Sequence, residues 1–308
     1  MPQTETGLRA EGVSLSYDGV RVVEGLDFHV PTGKVTAIIG ANGSGKSTVL
    51  KAFARILAPA EGRVLLDGRP VGDYPGKAYA RRVGILPQQP LAPAGITVAE
   101  LVSRGRAPHR GAFARPTAAD REHVATALER TETLALADRR VEELSGGQRQ
   151  RVWIAMALAQ DPEVLLLDEP TTYLDLAHQV DVLDLLRDWN AARGTSIVMV
   201  LHELALAARA ADHVVAMRDG RIVRQGSADD VLTQRGVAEV FDLDALVLRD
   251  PVRGTPLIVP RGRLGGGHSG AGHSDAEHEW RAAHPDPTAG PASTPPSIPA
   301  PAIPEEKP

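Results

Sequence analysis

The sequence predicts an α/β fold on three observations: unbroken apolar runs alternate with helical stretches, a glycine-rich phosphate-binding motif sits at one strand-to-helix junction, and a carboxylate pair closes another apolar run. Lys34–Ile39 and Arg63–Asp67 are short runs rich in β-branched and aliphatic residues, each closed by Gly, which suits strands. VLLLD at Val164–Asp168 and SIVMVLH at Ser196–His202 have no polar alternation, the pattern of strands covered on both faces. Ser47–Leu57, Gln148–Ala159 and Val180–Asn190 place apolar residues at helical spacing. Between Leu91 and Leu144 the alternation stops. Pro and Gly punctuate 90–116 and Ala118–Leu136 reads as helix without any buried-strand run, so a helical subdomain inserted at about 90–155 is expected.

With 308 residues, 43% hydrophobic and 24% charged, the chain can bury one large core or two linked ones. The absence of cysteine rules out disulfide and thiolate chemistry and fits a reducing compartment, the cytosol. MPQTETGLRAEG lacks the basic and apolar regions of a secretory signal, and no apolar stretch approaches the ~20 residues that span a bilayer. Work at a membrane would therefore need another chain as anchor. The net charge of -5 is concentrated in residues 264–308, which hold six acids and two bases, leaving 32 bases against 33 acids elsewhere. No basic field for a phosphate backbone remains, so nucleic acid is not an expected partner. The same 45 residues contain six Gly and nine Pro and almost no aliphatics, which predicts a disordered tail. Imidazoles at His268, His273, His278 and His284 suit transition metals, yet spacings of five, five and six match neither one helical face nor a known ligand box. The tail is read as a linker.

GANGSGKST (Gly40, Ala41, Asn42, Gly43, Ser44, Gly45, Lys46, Ser47, Thr48) fits G-x-x-x-x-G-K-[ST] directly after an expected strand and directly before an expected helix. The glycines let backbone N–H groups turn inward around phosphate oxygens and the helix start adds partial positive charge. Lys46 reaches the terminal phosphates and Ser47 offers a hydroxyl to Mg²⁺. In VLLLDEP, Asp168 at the strand end would bind Mg²⁺ through water, and Glu169 would orient and deprotonate the attacking water. His202 closes a third strand running to the same sheet edge, where ligands gather in α/β folds; a structural histidine would look the same in sequence. Gln88 in ILPQQ and the second glycine pair in LSGGQRQR (Leu144–Arg151) complete the set.

The order GANGSGKST, LPQQ, LSGGQRQR, VLLLDEPTTYLD, VLHE resembles the ATP-binding subunit of an ABC transporter, over roughly residues 8 to 263. The resemblance implies a P-loop NTPase with a RecA-like core, the inserted helical subdomain and N-terminal antiparallel β strands, using ATP and Mg²⁺. It assigns Tyr17 to stacking on adenine, Gln88 to Mg²⁺ and to coupling with the membrane subunit, Glu169 to the general base, His202 to the γ-phosphate, and Asp175 to the dimer seam. Ser145, Gly146, Gly147 and Gln148 would hold the γ-phosphate of ATP bound to a second copy of the chain. A helix starting near Gln148 would supply the amides without a lysine.

ITVAELVSRGRAPHR, LADRRVEELSGGQRQR, LAQDPEVLLLDEPTTYLDLAHQVDVLDLL and DPVRGTPLIVPRGR further resemble the ATPases of bacterial ferric-siderophore importers, the ferric enterobactin type especially. That likeness implies integral membrane permease subunits, an extracytoplasmic siderophore-binding protein, and a peripheral position on the cytoplasmic face of the membrane. Haem, corrinoid or other metal-chelate import is the neighbouring reading. A soluble ABC ATPase acting on ribosomes or DNA would ordinarily carry two ATPase units or a long coiled-coil insertion, whereas this chain has one phosphate loop and one signature. Glu203 stands where Asp is common after the switch histidine, and the 45-residue tail has no counterpart in the family pattern.

Overall fold

The computed structural model describes residues 6–111, 114–172 and 174–264. The expected tail therefore lies, from residue 265 on, outside the described residues, as do its four histidines. The unit ending at Leu264 opens with β1 (Leu8–Tyr17), β2 (Val20–His29), β3 (Val35–Gly40), α1 (Lys46–Phe53), β4 (Glu61–Leu66) and β5 (Arg69–Pro70). α2 (Gly76–Arg82), β6 (Val83–Leu86), α3 (Val98–Arg104), α4 (Ala118–Arg130) and α5 (Gly146–Ala159) follow. The chain continues through β7 (Val164–Asp168), α6 (Leu176–Arg193), β8 (Ser196–Val200), α7 (Leu204–Ala210), β9 (His213–Arg218) and β10 (Arg221–Gly226). It closes with α8 (Ala228–Val231), α9 (Gln234–Phe241), β11 (Leu243–Arg249) and β12 (Pro256–Arg263).

The central sheet has the order β10-β9-β3-β8-β7-β6, parallel except for the antiparallel edge strand β10. Its inner strands β3, β7 and β8 are covered on both faces. Val35, Ala37 and Ile39 of β3 and Leu165 and Leu167 of β7 enter one core with α5, α6 and α7. The alternate residues Ile38, Val164 and Leu166 enter a second core with α1 and the N-terminal sheet. This period-two division explains why the runs read as continuously apolar. The N-terminal sheet is antiparallel, with the order β2-β1-β4-β5, as the family resemblance implied. Asp18-Gly19, Asp67-Gly68 and Asp219-Gly220 join β1 to β2, β4 to β5 and β9 to β10, each with φ positive at both residues. Such turns match the twist of paired strands.

Several helix boundaries differ from expectation. The helix expected over Ser47–Leu57 stops at Phe53 because Arg55 turns left-handed (φ 61°), and the amides of Ile56 and Leu57 fold back onto the Lys51 carbonyl. That expected over Ala118–Leu136 ends at Arg130. Thr131 Oγ1 takes the Ala127 carbonyl at 2.9 Å and Glu132 turns left-handed at φ 56°. The helix expected over Val180–Asn190 is longer, from an Asp175 cap to left-handed Gly194. Every regular element described between β6 and β7 is helical. No helix among the described residues is long and apolar enough to cross a membrane.

Candidate functional site

Parallel pairing brings the ends of β3, β6, β7 and β8 to one sheet edge, and each delivers part of a cleft of about 550 Å³. β3 supplies the phosphate loop. Gly40 (φ 151°) ends the strand so close to β9 that a Cβ would stand 2.2 Å from the Met217 carbonyl oxygen. Gly45, left-handed at φ 95°, is the N-cap of α1, and a Cβ there would meet Val23 Cγ2 at 2.8 Å. These two glycines fold the loop tightly enough for the first amides of α1 to face the cleft.

Lys46 opens α1 and is 5% exposed. Its ammonium donates to the carbonyls of Gly40 at 2.9 Å and Ala41 at 2.8 Å, arching the loop around its own lysine. Burial lowers the Lys46 pKa, and the Glu169 and Asp168 carboxylates act against that shift without cancelling it. Ser47 Oγ donates to Asp168 Oδ1 at 2.7 Å, which joins the loop to the end of β7. Asp168 is buried, and burial raises its pKa against the hydrogen bond from Ser47. The oxygens of the Ser47–Asp168 pair are hard donors, the set that fits Mg²⁺.

Glu169 makes three polar side-chain contacts in the cleft. Its Oε1 lies 2.6 Å from His202 Nε2, and its Oε2 accepts from Gln88 Nε2 at 2.6 Å and Thr172 Oγ1 at 3.0 Å. Burial alone would raise its pKa, but the bonds from His202, Thr172 and Gln88 outweigh burial and hold the carboxyl below the usual range. Its backbone is left-handed at φ 54°, a strained conformation for a side chain of this size that turns the carboxylate back over the strand end.

Asn42, Gly43, Gly45, Lys46, Ser47, Thr48, Gln88, Glu169 and His202 line the cleft, while Gly40, Ala41, Ser44 and Asp168 contact those residues from behind. Tyr17 is off the lining, 40% exposed, with Lys51 Nζ 5.7 Å from its ring centroid. The signature residues and Asp175 are also elsewhere, at the starts of α5 and α6. α5 begins at Gly146 and not near Gln148, because Ser145 closes a capping box. Ser145 Oγ accepts from Gln148 N at 3.3 Å, and Gln148 Oε1 accepts from Ser145 N at 3.1 Å. That satisfies the Gln148 amide and leaves those of Gly146 and Gly147, with the Ser145 O–H proton, to meet an anion. Asp175 Oδ1 accepts from His178 N at 2.9 Å and meets His178 Nδ1 at 2.7 Å; a Cβ on Gly147 would sit 3.6 Å from that imidazole. The two helix starts are thus neighbours on one surface.

Three contacts had no sequence signal. Thr172 holds Glu169, Val22 reaches the cleft from β2, and Gln150 Nε2 donates to the Pro170 carbonyl at 2.8 Å, tying α5 to the turn after Glu169. The first is made within the turn after β7, where Thr172 N also donates to the Glu169 carbonyl, and packing between elements creates the other two.

The ABC transporter family model matches residues 23–172. The ferric enterobactin transport ATP-binding protein FepC of Escherichia coli (strain K12) is 46% identical over 263 residues, covering 85% of this chain and 97% of that protein. The achromobactin transport ATP-binding protein CbrD of Dickeya dadantii (strain 3937) is 50% identical over 258 residues, covering 84% and 96%. Among solved structures, an ABC transporter in an inward-facing conformation superposes with a TM-score of 0.72 at 29% identity, over 83% of this chain and 97% of that one. A phosphate loop, an acid pair and a detached signature helix on one α/β sheet agree with these likenesses, and the chain belongs to the nucleotide-binding, ATP-hydrolysing subunits of ABC transporters.

Proposed function

We propose that this chain powers the uptake of ferric siderophores across the cytoplasmic membrane. The observation that carries the reading is its 46–50% identity, over nearly their whole length, to proteins named for ferric enterobactin and achromobactin transport. The ATPase domain spans residues 8–263 with its helical subdomain at about 90–155, and it sits peripherally on the cytoplasmic face against integral permease subunits. An extracytoplasmic siderophore-binding protein delivers the cargo to the permease, so the ATPase itself never touches iron.

The side chains divide the chemistry among them. The amides of the Gly40–Thr48 loop and Lys46 hold the ATP phosphates, and the exposed ring of Tyr17, off the cleft lining beside Lys51 of α1, stacks on adenine. Ser47, Gln88 and Asp168 would hold Mg²⁺, which when bound neutralises phosphate charge. Glu169, held ionised by its three donors, takes a proton from the attacking water; His202, 2.6 Å from it, orients the carboxylate and contacts the γ-phosphate. Gln88 contacts Glu169 directly, so movement of the loop after β6 under a permease changes the base itself.

Ser145–Gln148 and Asp175 lie off the cleft on a shared surface, which supports a two-fold pair in which each chain's helix starts complete the other's site. Growth of a deletion strain under iron limitation, supplied in turn with a panel of ferric siderophores, haem and a corrinoid, tests the cargo. Loss of growth on one or more ferric siderophores, rescued by the wild-type gene, is the expected result. Unchanged uptake of all of them would sink the iron assignment and leave the ATPase intact.

A further inference from the structure

RGRAPHR, Arg104–Arg110, lies outside the cleft and takes no part in the chemistry above. Its groups converge instead on the far end of the signature helix. Arg106 is 5% exposed; its Nη1 donates to the carbonyls of Ala159 at 2.9 Å and Gln160 at 3.3 Å, the open C-terminal end of α5. Its Nε donates to Asp120 Oδ1 at 3.0 Å, where Asp120 also caps α4 through Thr117. His109 Nε2 meets the same Gln160 carbonyl at 2.9 Å. Gly105 permits the approach, since a Cβ there would stand 2.2 Å from the Met156 carbonyl oxygen.

Gln160 reaches the other way. Its side-chain amide donates to the carbonyls of Ala80 and Val83, at the end of α2 and the start of β6. Lys77 and Arg81 of α2 donate to the carbonyls of Arg110 and Pro108. One joint therefore ties four elements: α2; β6, whose far end leads to Gln88 and through it to Glu169; α4; and α5, whose far end is the signature.

We propose that Arg106 is a positioning residue for ATP hydrolysis, fixing the C-terminal end of α5 as the fulcrum about which Ser145–Gly147 are aimed at the partner's nucleotide. This rests on the reading that those residues serve the partner's ATP. A guanidinium suits the task because it is planar, permanently charged and able to serve a carboxylate and two carbonyls at once. A helix C-terminus also favours a cation. α5 has 14 residues, about 21 Å at the helical rise, so a tilt of about 3° at the fulcrum displaces the signature by about 1 Å. A misplacement of about 1 Å can reduce a rate by about 100-fold.

Arg106→Lys keeps the charge beside Asp120 but cannot hold both carbonyls. In the full-length chain, kcat and ATP-driven dimerisation are expected to fall about 10-fold or more while single-subunit ATP affinity stays within about two-fold. Wild-type kcat and dimerisation with only a lowered melting midpoint would overturn the proposal, since Arg106 would then be structural alone. If Arg106→Lys does not fold, His109→Ala removes one donor from the Gln160 carbonyl. A smaller drop in kcat at unchanged ATP affinity supports the fulcrum, and an unchanged kcat overturns it. Ser145→Arg measured alongside separates the two ideas: dimerisation at wild-type strength would remove the partner-site reading itself.

Discussion

Replacing Glu169 by Gln isolates the proton-accepting role from everything else the side chain does. The wild-type carboxylate faces His202 with Oε1 and faces Gln88 and Thr172 with Oε2. A glutamine in the same rotamer can point its carbonyl oxygen at Gln88 and Thr172 and its amide N–H at His202, whose imidazole accepts in its other tautomer. Each hydrogen bond is kept, the volume is unchanged, and no hydrogen bond of Lys46, Ser47 or the loop is removed, while Lys46 loses one of the two carboxylates that act against its burial. What is lost is a group able to take a proton. General-base catalysis is worth about 10²–10⁴-fold, so kcat at saturating MgATP should fall by that factor, equivalent to about 3–5 kcal/mol in the barrier. Binding of a fluorescent ATP analogue to the single subunit should stay within about two-fold of wild type, because the phosphate contacts survive. Phosphate release and nucleotide titration on the same preparation measure both. Hydrolysis at the wild-type rate would refute Glu169 as the base, and loss of ATP binding would refute the claim that its role is separable from the loop.

Further outcomes follow from other contacts. Gly40→Ala places a methyl 2.2 Å from the Met217 carbonyl oxygen at a φ of 151°, so urea unfolding should show a loss of at least about 2 kcal/mol, with ATP affinity falling in parallel. Ser145→Arg should leave ATP binding by one subunit nearly intact and abolish ATP-driven dimerisation and turnover, as read by size-exclusion chromatography and phosphate release. Asp120 is held down to about 2, chiefly by the backbone hydrogen bond from Thr117 and, against burial, by Arg106. A carboxyl whose folded pKa lies below its unfolded value adds stability above the unfolded value and loses it as pH falls through the folded one. The urea midpoint of the wild type should therefore drop between the ordinary carboxylate range near about 4 and the folded value, and Asp120→Asn should flatten that limb.

The sequence of this chain determines its local structure because the deciding interactions lie within a few residues of each other. Gly40 and Gly45 announce a turn that other residues cannot make, Ser145 and Thr117 each sit three residues before a capping partner, and three Asp-Gly pairs specify their turns. The apolar runs at Val164–Asp168 and Ser196–His202 marked strands covered on both faces; both strands are so covered, the second ending at Val200, two residues before His202. Boundaries were less legible where backbone geometry overrode periodicity, as at Arg55 and Glu132. Only the tertiary structure decided how the pieces meet. Parallel pairing carries Gln88, Glu169 and His202 to one edge from positions up to 114 residues apart, the difference between 202 and 88. The contacts of Gln88 and His202 with Glu169 and the Arg106 grip on α5 arise from packing between elements distant in the chain. A motif specifies which groups are present; their distances and protonation are set by neighbours that sequence order does not reveal.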